Sequence, residues 1–357
     1  MKDMQGTLRR LSRGIPTVEH VWYGGGAGSI LVRAALWPVA RVYDAAMLVR
    51  SRLYDSGVLD AAAPDLPTIS VGNLTIGGTG KTPFSAWLAF KLKVRARPAI
   101  ALRGYGDDET QVHARLNPDV PVVVNPDRGA AIREAKKHGA DIVVLDDAFQ
   151  HRRIARNADI VILSAEQLLR PHRMLPAGPW RERLPAARRA DVLVVTRKSA
   201  TPAQTERAIE MIRIAIPDVP IVVAYLAPDR LVNAVDDDTM SIDKLRGAQV
   251  VALAAIGEPE LFQTQLEELG ARVSLTSFRD HHTFSDDEIN AIAARVPSDG
   301  FAVCTLKDAV KLAGRWPGPS RLWYVSQQLV VEQGAEEIDR LLKRVLDARA
   351  SATTNAS

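Results

Sequence analysis

The stretch that decides the fold is Ile69-Ser70-Val71-Gly72-Asn73-Leu74-Thr75-Ile76-Gly77-Gly78-Thr79-Gly80-Lys81-Thr82-Pro83. A short β-branched run leads into a glycine-rich turn, and the turn ends in Gly80-Lys81-Thr82 at the head of an apolar-periodic segment. Glycines let backbone N–H groups point inward at an anion, and the helix that follows offers its positive N-terminal end. The order of strand, glycine-rich turn and helix therefore predicts a phosphate-binding P-loop.

The predicted P-loop assigns nucleotide binding to consecutive residues: Thr75, Ile76, Gly77, Gly78, Thr79, Gly80, Lys81 and Thr82. Lys81 would reach the outer phosphates of ATP and act in catalysis, and the Thr82 hydroxyl would bind Mg²⁺. The usual signature has a glycine five residues before Gly80, where this chain has Thr75. The alternative is a glycine-rich turn that binds nothing.

Length and composition bound the remaining possibilities. The 357 residues are enough for two domains, each with its own core. A net charge of +4 does not favour nucleic acid as a partner. The single cysteine, Cys304, excludes an internal disulfide and a cysteine-rich zinc site, which fits a reducing compartment. Residues 1–28 are polar and arginine-bearing, so we expect no secretory signal there.

Residues 29–53 predict an amphipathic helix. They are mostly apolar, but charges interrupt every run before it reaches the roughly eighteen residues expected of a spanning helix. One flank of the helical projection carries the polar residues Arg33, Arg41, Asp44, Ser51 and Arg52. The helix either packs on its own domain or lies in a membrane interface with its arginines toward anionic head groups.

Strands and helices alternate along most of the chain after a linker at 54–67. This alternation predicts an α/β fold of the P-loop NTPase type, with a doubly wound, mostly parallel sheet. The acidic segment 227–244 predicts a connection to a second, smaller α/β domain. We therefore expect an N-terminal helix region, a P-loop core domain, a smaller C-terminal domain and a disordered tail, at 1–53, 54–226, 227–348 and 349–357.

An aliphatic strand, Ile142–Leu145, ends in the two carboxylates Asp146 and Asp147. A P-loop enzyme uses such a carboxylate to hold Mg²⁺, so both residues are predicted metal ligands. Gln150 and His151 follow on the same turn and could polarise a phosphate oxygen or hold the acceptor.

The Asp280-His281-His282 cluster follows a predicted strand near the end of the chain. Adjacent histidines could bind a metal, but adjacent side chains diverge. A histidine facing an acid across a cleft is instead a workable base for deprotonating a hydroxyl. The alternative is a solvated histidine before the helix that begins at Asp286.

The loop from Leu175 to Glu182 is fixed by proline and glycine and ends in a candidate ion pair, Arg181 with Glu182. Arg181 could clamp a phosphate. Physical reasoning alone leaves the loop as a structural turn.

The P-loop and further blocks resemble one family, the tetraacyldisaccharide 4'-kinases of lipid A biosynthesis. Those blocks are Arg103–Gly106, Asp146–His151, Leu175–Pro179, Phe278–His281 and Lys307–Lys311. The resemblance extends from the amphipathic helix to about residue 346. A P-loop alone is generic, whereas this ordered set of blocks is specific.

The resemblance implies an enzyme on the cytoplasmic face of the inner membrane, with no obligate protein partner. It would use ATP and Mg²⁺ to phosphorylate the 4'-hydroxyl of a tetraacylated glucosamine disaccharide 1-phosphate, and residues 29–53 would contact the membrane. The implied base is Asp108 coupled to His281, with Asp107 as a rival because the acidic block follows the Gly-Tyr-Gly block almost directly. The implied substrate contacts are Tyr105, Gln150, His151, Arg181 and Glu182.

Two other functions fit the P-loop. A soluble P-loop kinase for a small molecule would be active without lipid and would not use residues 29–53. An ATP-driven switch ATPase would send phosphate to water and need no base at His281. Such switches usually have a second lysine early in the P-loop, which this sequence lacks.

Overall fold

The computed structural model describes residues 18–104, 107–317 and 320–354. The helices are α1 (Val18–Tyr23), α2 (Ala27–Asp55), α3 (Lys81–Leu92), α4 (Asp107–Leu116), α5 (Arg128–Lys137), α6 (Ala165–Leu168), α7 (Pro202–Ala215), α8 (Pro259–Glu268), α9 (Asp286–Ala293), α10 (Leu306–Leu312) and α11 (Ala335–Thr354). The strands are β1 (Thr68–Asn73), β2 (Pro98–Leu102), β3 (Val122–Val124), β4 (Ile142–Asp146), β5 (Ala158–Ser164), β6 (Val192–Arg197), β7 (Ile221–Asn233), β8 (Thr239–Ser241), β9 (Gln249–Ala254), β10 (Arg272–Ser277), β11 (Phe301–Cys304) and β12 (Leu322–Gln333).

A single sheet connects these strands in the order β10-β9-β11-β12-β7-β6-β5-β1-β4-β2-β3, with β8 paired to β7. The strands from β3 to β7 along this order are parallel, and so are those from β10 to β12. The N-terminal half, built on β1–β6, meets the C-terminal half, built on β9–β11, through the long antiparallel pair β7 and β12. The predicted α/β fold with a mostly parallel sheet is confirmed.

Side chains alternate between the two faces of the sheet, and helices cover both faces. In β5, Ile160 and Ile162 pack in one core with residues of α3 and α11. Val161 and Leu163 point the other way and pack with α7. This period-two alternation is what a doubly wound sheet requires. Ligands of such sheets bind at the carboxyl ends of the strands, and polar side chains lie there in this protein.

The sequence misassigned the segment after residue 224. Strand β7 continues to Asn233, so the predicted connection at 227–244 is wrong in its first part, and the predicted domain boundary falls inside this strand. Pro228, Asp229 and Arg230 gave the segment the composition of a loop, but pairing with β12 outweighs that local preference. At the other end of the chain, α11 reaches Thr354, so most of the predicted tail is helical.

Helix α2 turns much of its polar flank toward the protein. Arg33 donates to two backbone carbonyls of the preceding segment, each at 2.7 Å. The buried Asp44 accepts from Arg183 Nε at 2.8 Å, and the Ser51 carbonyl accepts from Arg152 at 3.1 Å. The prediction that the arginines of this flank point toward lipid head groups is therefore wrong for Arg33.

The opposite side of α2 is apolar and exposed. Its exposed large side chains are Ile30, Leu31, Val32, Trp37, Val39, Val42, Leu48 and Val49. Within the described ranges, no helix is both long enough and apolar enough to cross a bilayer. The helix therefore presents apolar side chains to the outside and fastens Arg33, Asp44 and Ser51 to its own core, whereas the Arg41 side chain stays 61% exposed.

Candidate active site

The P-loop lies between β1 and α3, as the sequence predicts. Gly77 and Gly80 have φ angles of 115° and 89°, a left-handed region that glycine adopts without strain. The Thr79 hydroxyl is buried and accepts from Asn73 Nδ2 at 3.0 Å, which braces the loop against the end of β1. Lys81 and Thr82 form the first turn of α3.

The outer side of the P-loop is held by the segment around Pro179. The Ile76 N–H donates to the Pro179 carbonyl at 2.8 Å. The Thr75 hydroxyl is hydrogen-bonded to the Gln167 side chain, and the backbone of Thr75 bridges to Trp180. Thr75 thus anchors the loop at the position where a glycine is usual. Its direct contact with nucleotide stays a prediction.

Two cations converge on one carboxylate at the mouth of the P-loop. Lys81 Nζ lies 3.7 Å from Asp147 Oδ1, and Arg181 Nη1 lies 2.9 and 3.0 Å from the two oxygens of Asp147. Burial alone would raise the pKa of Asp147, but Lys81 and Arg181 together lower it. Asp147 is therefore charged at neutral pH and holds both cations beside the loop that would receive phosphates.

Arg181 and Glu182 do not pair with each other as the sequence suggested. Glu182 is buried and accepts from Arg189 Nη2 at 3.0 and 3.2 Å. Neighbouring positions in an extended loop point in opposite directions, so Arg181 faces the P-loop and Glu182 faces the interior. The substrate contact predicted for Glu182 stays a prediction, and its pairing with Arg189 does not favour it.

Asp146 ends β4 directly beside β1, where it pairs with Val71. Its carboxylate is buried and has a partner for each oxygen. The Asp147 N–H donates to Oδ1 at 2.9 Å, and His113 Nε2 lies 2.9 Å from Oδ2. Because β1 and β4 are parallel neighbours, their carboxyl ends place this acid next to the P-loop.

Gln150 and His151 lie on the turn after Asp147. Gln150 Nε2 donates to the Asn73 carbonyl at 2.7 Å, and its Oε1 lies 3.4 Å from Arg181 Nη1. Burial, and then nearby arginines led by Arg128, lower the pKa of His151 to about 4. His151 is thus neutral near pH 7, so it can donate a hydrogen bond to a substrate but adds no positive charge.

Asp108 lies in the first turn of α4, a helix that the sequence did not predict. Its Oδ2 is 3.1 Å from His281 Nδ1, 3.5 Å from Lys311 Nζ and 3.6 Å from Lys307 Nζ. Burial raises the pKa of Asp108, but Lys307, His281 and Lys311 outweigh it and lower the pKa. The structure therefore brings together the predicted base and its predicted histidine from opposite halves of the sheet.

His281 is oriented by a lysine from the C-terminal half. Lys307 Nζ lies 3.1 Å from His281 Nε2, and an ammonium group can only donate. In the neutral ring this leaves the proton on Nδ1, the atom nearest Asp108. The φ angle of His281 is 60°, an uncommon conformation for a residue other than glycine.

Several residues of this site were missed by sequence reasoning. They are Glu109, His113 and Arg128, together with Lys307 and Lys311, whose family block was assigned no role from sequence. Lys307 and Lys311 had a readable signal, because a spacing of four puts them on one face of a helix. The fully buried Arg128, which donates to the Asp146 carbonyl at 2.6 Å, had none. Tyr105 lies outside the described residues, and Asp107 is described only as the first residue of α4.

The oxygen donors beside the P-loop fit Mg²⁺. Among the residues the structure describes, no group of three or more His, Cys, Asp or Glu side chains could hold a metal by itself. Mg²⁺ usually needs less, because one or two carboxylates and the substrate phosphates complete its octahedral shell. Thr82, Asp146 and Asp147 supply hard oxygen ligands of that kind.

A groove of about 1050 Å³ lies between α2 and the segment 172–185. Its walls are partly apolar, with Trp37, Met174 and Leu184, and arginines from both sides reach its rim. The same segment contains Pro179, whose carbonyl accepts from the Ile76 N–H of the P-loop, so it borders both the groove and the P-loop.

A parallel sheet with a P-loop, a buried acid on the neighbouring strand and an acid–histidine pair that joins the two halves of the sheet is typical of a P-loop phosphotransferase. The family model described as tetraacyldisaccharide-1-P 4'-kinase matches residues 32–347. A tetraacyldisaccharide 4'-kinase of Halorhodospira halophila is 36% identical and covers 90% of this chain and 94% of its own length. A tetraacyldisaccharide 4'-kinase of Bdellovibrio bacteriovorus is 31% identical and covers 88% of this chain and 100% of its own length.

A solved structure has the same architecture. The crystal structure of LpxK from Aquifex aeolicus in complex with ATP superposes on this chain with a TM-score of 0.71, and the two sequences are 29% identical. The similarity covers 88% of this chain and 99% of that one. This chain belongs to the tetraacyldisaccharide 4'-kinase family, ATP-dependent kinases of lipid A biosynthesis.

Proposed function

We propose that this chain transfers the γ-phosphate of ATP to the 4'-hydroxyl of a tetraacylated glucosamine disaccharide 1-phosphate through the residues placed above. The observation that supports this most strongly is the Asp108–His281 pair. A kinase needs a proton acceptor for its attacking hydroxyl. A switch that only hydrolyses ATP needs no base at His281, so the pair favours transfer to a hydroxyl.

The P-loop would bind and orient the nucleotide. Lys81 would neutralise the outer phosphates, and Arg181 would leave Asp147 to clamp the transferred group. Thr82, Asp146 and Asp147 would hold Mg²⁺, which would supply positive charge to offset the charge of the phosphates.

Asp108 would accept the proton of the 4'-hydroxyl while the oxygen attacks the γ-phosphorus and the bond to ADP breaks. Asp108 Oδ1 has no hydrogen-bond partner among the described residues, so its lone pairs remain for the hydroxyl. The neighbouring lysines keep Asp108 deprotonated but make it a weaker base. Phosphate oxygens that draw these lysines away would restore its basicity as the site fills.

Helix α2 would place the enzyme on a membrane. In a soluble protein the apolar side of a surface helix normally faces the core, whereas the exposed side of α2 is apolar. Such a helix suits the interface of a bilayer, and for this pathway we propose the cytoplasmic face of the inner membrane. The groove beside α2 would take an acyl chain of the lipid acceptor, with the arginines near its phosphate.

A transfer assay with labelled ATP tests this function. The full-length protein is incubated with the lipid disaccharide in detergent, and the products are separated by thin-layer chromatography. We expect label in the lipid and none without the acceptor. Label that appears only as inorganic phosphate would show an ATPase, and transfer to a soluble sugar at the same rate would show a small-molecule kinase.

A further inference from the structure

Helix α4 is packed between the two halves of the sheet and shows a different face to each. Asp108 and Arg115 are seven positions apart and so share a face. Asp108 approaches Lys307 and Lys311, and Arg115 Nη2 donates to the Asn233 carbonyl at 3.0 Å, so this face belongs to the C-terminal half.

The neighbouring face of α4 meets the N-terminal half. Glu109 and His113, four positions apart, lie on it. His113 is completely buried, and its Nε2 is 2.9 Å from Asp146 Oδ2. One helix thus touches the predicted metal acid with one face and presents the predicted base on another.

A histidine is a costly choice for this position unless it has a task. Its Nδ1 is buried without a hydrogen-bond partner among the described residues. A buried polar atom without a partner loses its hydration and gains nothing in return. Leucine would fill a similar volume without that cost. What histidine adds is the single contact with Asp146.

That contact completes the restraint of the Asp146 carboxylate. Oδ1 is fixed by the Asp147 N–H and Oδ2 by His113, so the group cannot turn about its last bond. A partner of this kind sets the orientation of a metal ligand, and its removal usually weakens metal binding by about 10–100-fold.

We propose that His113 is a positioning residue that fixes Asp146 for Mg²⁺ and ties this acid to the helix that presents Asp108. The inference rests on the metal role proposed for Asp146. It implies that metal site and base are aligned by one rigid element. Displacing α4 would disturb both together.

The test compares nucleotide binding with and without metal. The dissociation constant of a non-hydrolysable ATP analogue is measured on the full-length protein in excess Mg²⁺ and in EDTA. The ratio of the constant in EDTA to the constant in Mg²⁺ gives the contribution of the metal to binding. We expect His113→Leu to lower this ratio by about 10-fold or more and to leave the dissociation constant in EDTA unchanged. His113→Gln, whose amide nitrogen can occupy the place of Nε2, should restore most of the ratio.

Asn117→Leu is the matched control, because Asn117 is also buried and donates to the Ala86 carbonyl at 2.8 Å without touching Asp146. It should lower thermal stability and leave the ratio unchanged. A normal ratio in both His113 variants would overturn the inference, and so would an equal loss in Asn117→Leu. If His113→Leu does not fold, a His113→Gln ratio as low as that of Asp146→Asn would also overturn it. A normal ratio in Asp146→Asn itself would instead refute the proposed metal role.

Discussion

The proposed nucleotide site and the proposed base site of this enzyme are built in opposite ways. The nucleotide site uses Lys81, Thr82, Asp146 and Asp147, which end or follow two neighbouring parallel strands. The base site joins Asp108 to His281, Lys307 and Lys311, which are some 170 to 200 residues further along the chain. Short-range structure creates the first site, whereas only the packing of α4 against the C-terminal half creates the second.

This difference predicts different behaviour when each site is damaged. A site made by neighbouring strands is as stable as the core of the sheet. A site made across two halves depends on how they sit together, and closure around substrates can assemble it. Loss of nucleotide-site groups should therefore affect ATP handling, and loss of base-site groups should affect the chemical step alone.

The largest effect is expected at the P-loop. Lys81→Ala should lower the transfer rate by about 10²–10³-fold or more, because a preorganised charge beside the outer phosphates is lost. Lys91→Ala, on the same helix α3 but paired with Asp339 on the surface, is the control and should be fully active. Rates are measured with labelled ATP. More than about a tenth of normal activity in Lys81→Ala would contradict its role.

The base residues come next. Asp108→Ala and His281→Ala should each lower kcat by about 10²–10⁴-fold and leave ATP affinity nearly unchanged, since neither touches the P-loop. Steady-state kinetics and nucleotide binding separate the two effects. Asp107→Ala serves as the control and should be mild. A severe loss of kcat in Asp107→Ala together with a mild loss in Asp108→Ala would assign the base to Asp107 instead.

Membrane binding should respond to the exposed side of α2. Leu31→Asp with Val42→Asp places two carboxylates on side chains that are 70% and 71% exposed. We expect at least about tenfold weaker sedimentation with anionic lipid vesicles, because the charges oppose burial in the interface. The matched pair Val94→Asp with Ile214→Asp, at 83% and 85% exposure, should bind normally. An equal loss of vesicle sedimentation in both pairs would show that α2 does not make the membrane contact.

The smallest effect concerns pH. Lys307 and Lys311 help to keep the pKa of Asp108 below its ordinary 3.8 against the effect of burial. The acid limb of kcat/KM that belongs to Asp108 should therefore lie below pH 3.8. Lys307→Met with Lys311→Met removes charges that lower the pKa, so this limb should move to higher pH. Lys91→Met with Lys93→Met should not move it, and an unmoved limb in the first pair would show that these lysines do not tune Asp108.

The nucleotide site was accessible from sequence because each of its parts is local. The P-loop needs only a strand, glycines and a lysine in order, and Asp146 needs only an aliphatic strand before it. Helix α4 was not predicted, because the polar sequence of its first turn carries no helix signal. The contact of His113 with Asp146 joins two strand-and-helix units, and no periodicity reports it.

Other errors have the same physical origin. The polar residues of β7 were taken for a connection because long-range pairing with β12 leaves no local mark. One of the two alternatives for α2 turned its arginines toward lipid, which is wrong for Arg33, because a helical projection shows which residues share a side, not what that side contacts. The family resemblance supplied the pairing of Asp108 with His281, which local patterns alone left open.

The double-mutant cycle of Asp108 and His281 tests the central claim most directly. Because the two groups would act as one proton-accepting unit, Asp108→Ala with His281→Ala should be scarcely slower than either single variant. The kcat values of all four proteins are measured at saturating ATP and lipid acceptor. Losses that multiply in the double variant would show independent roles and contradict the proposed unit.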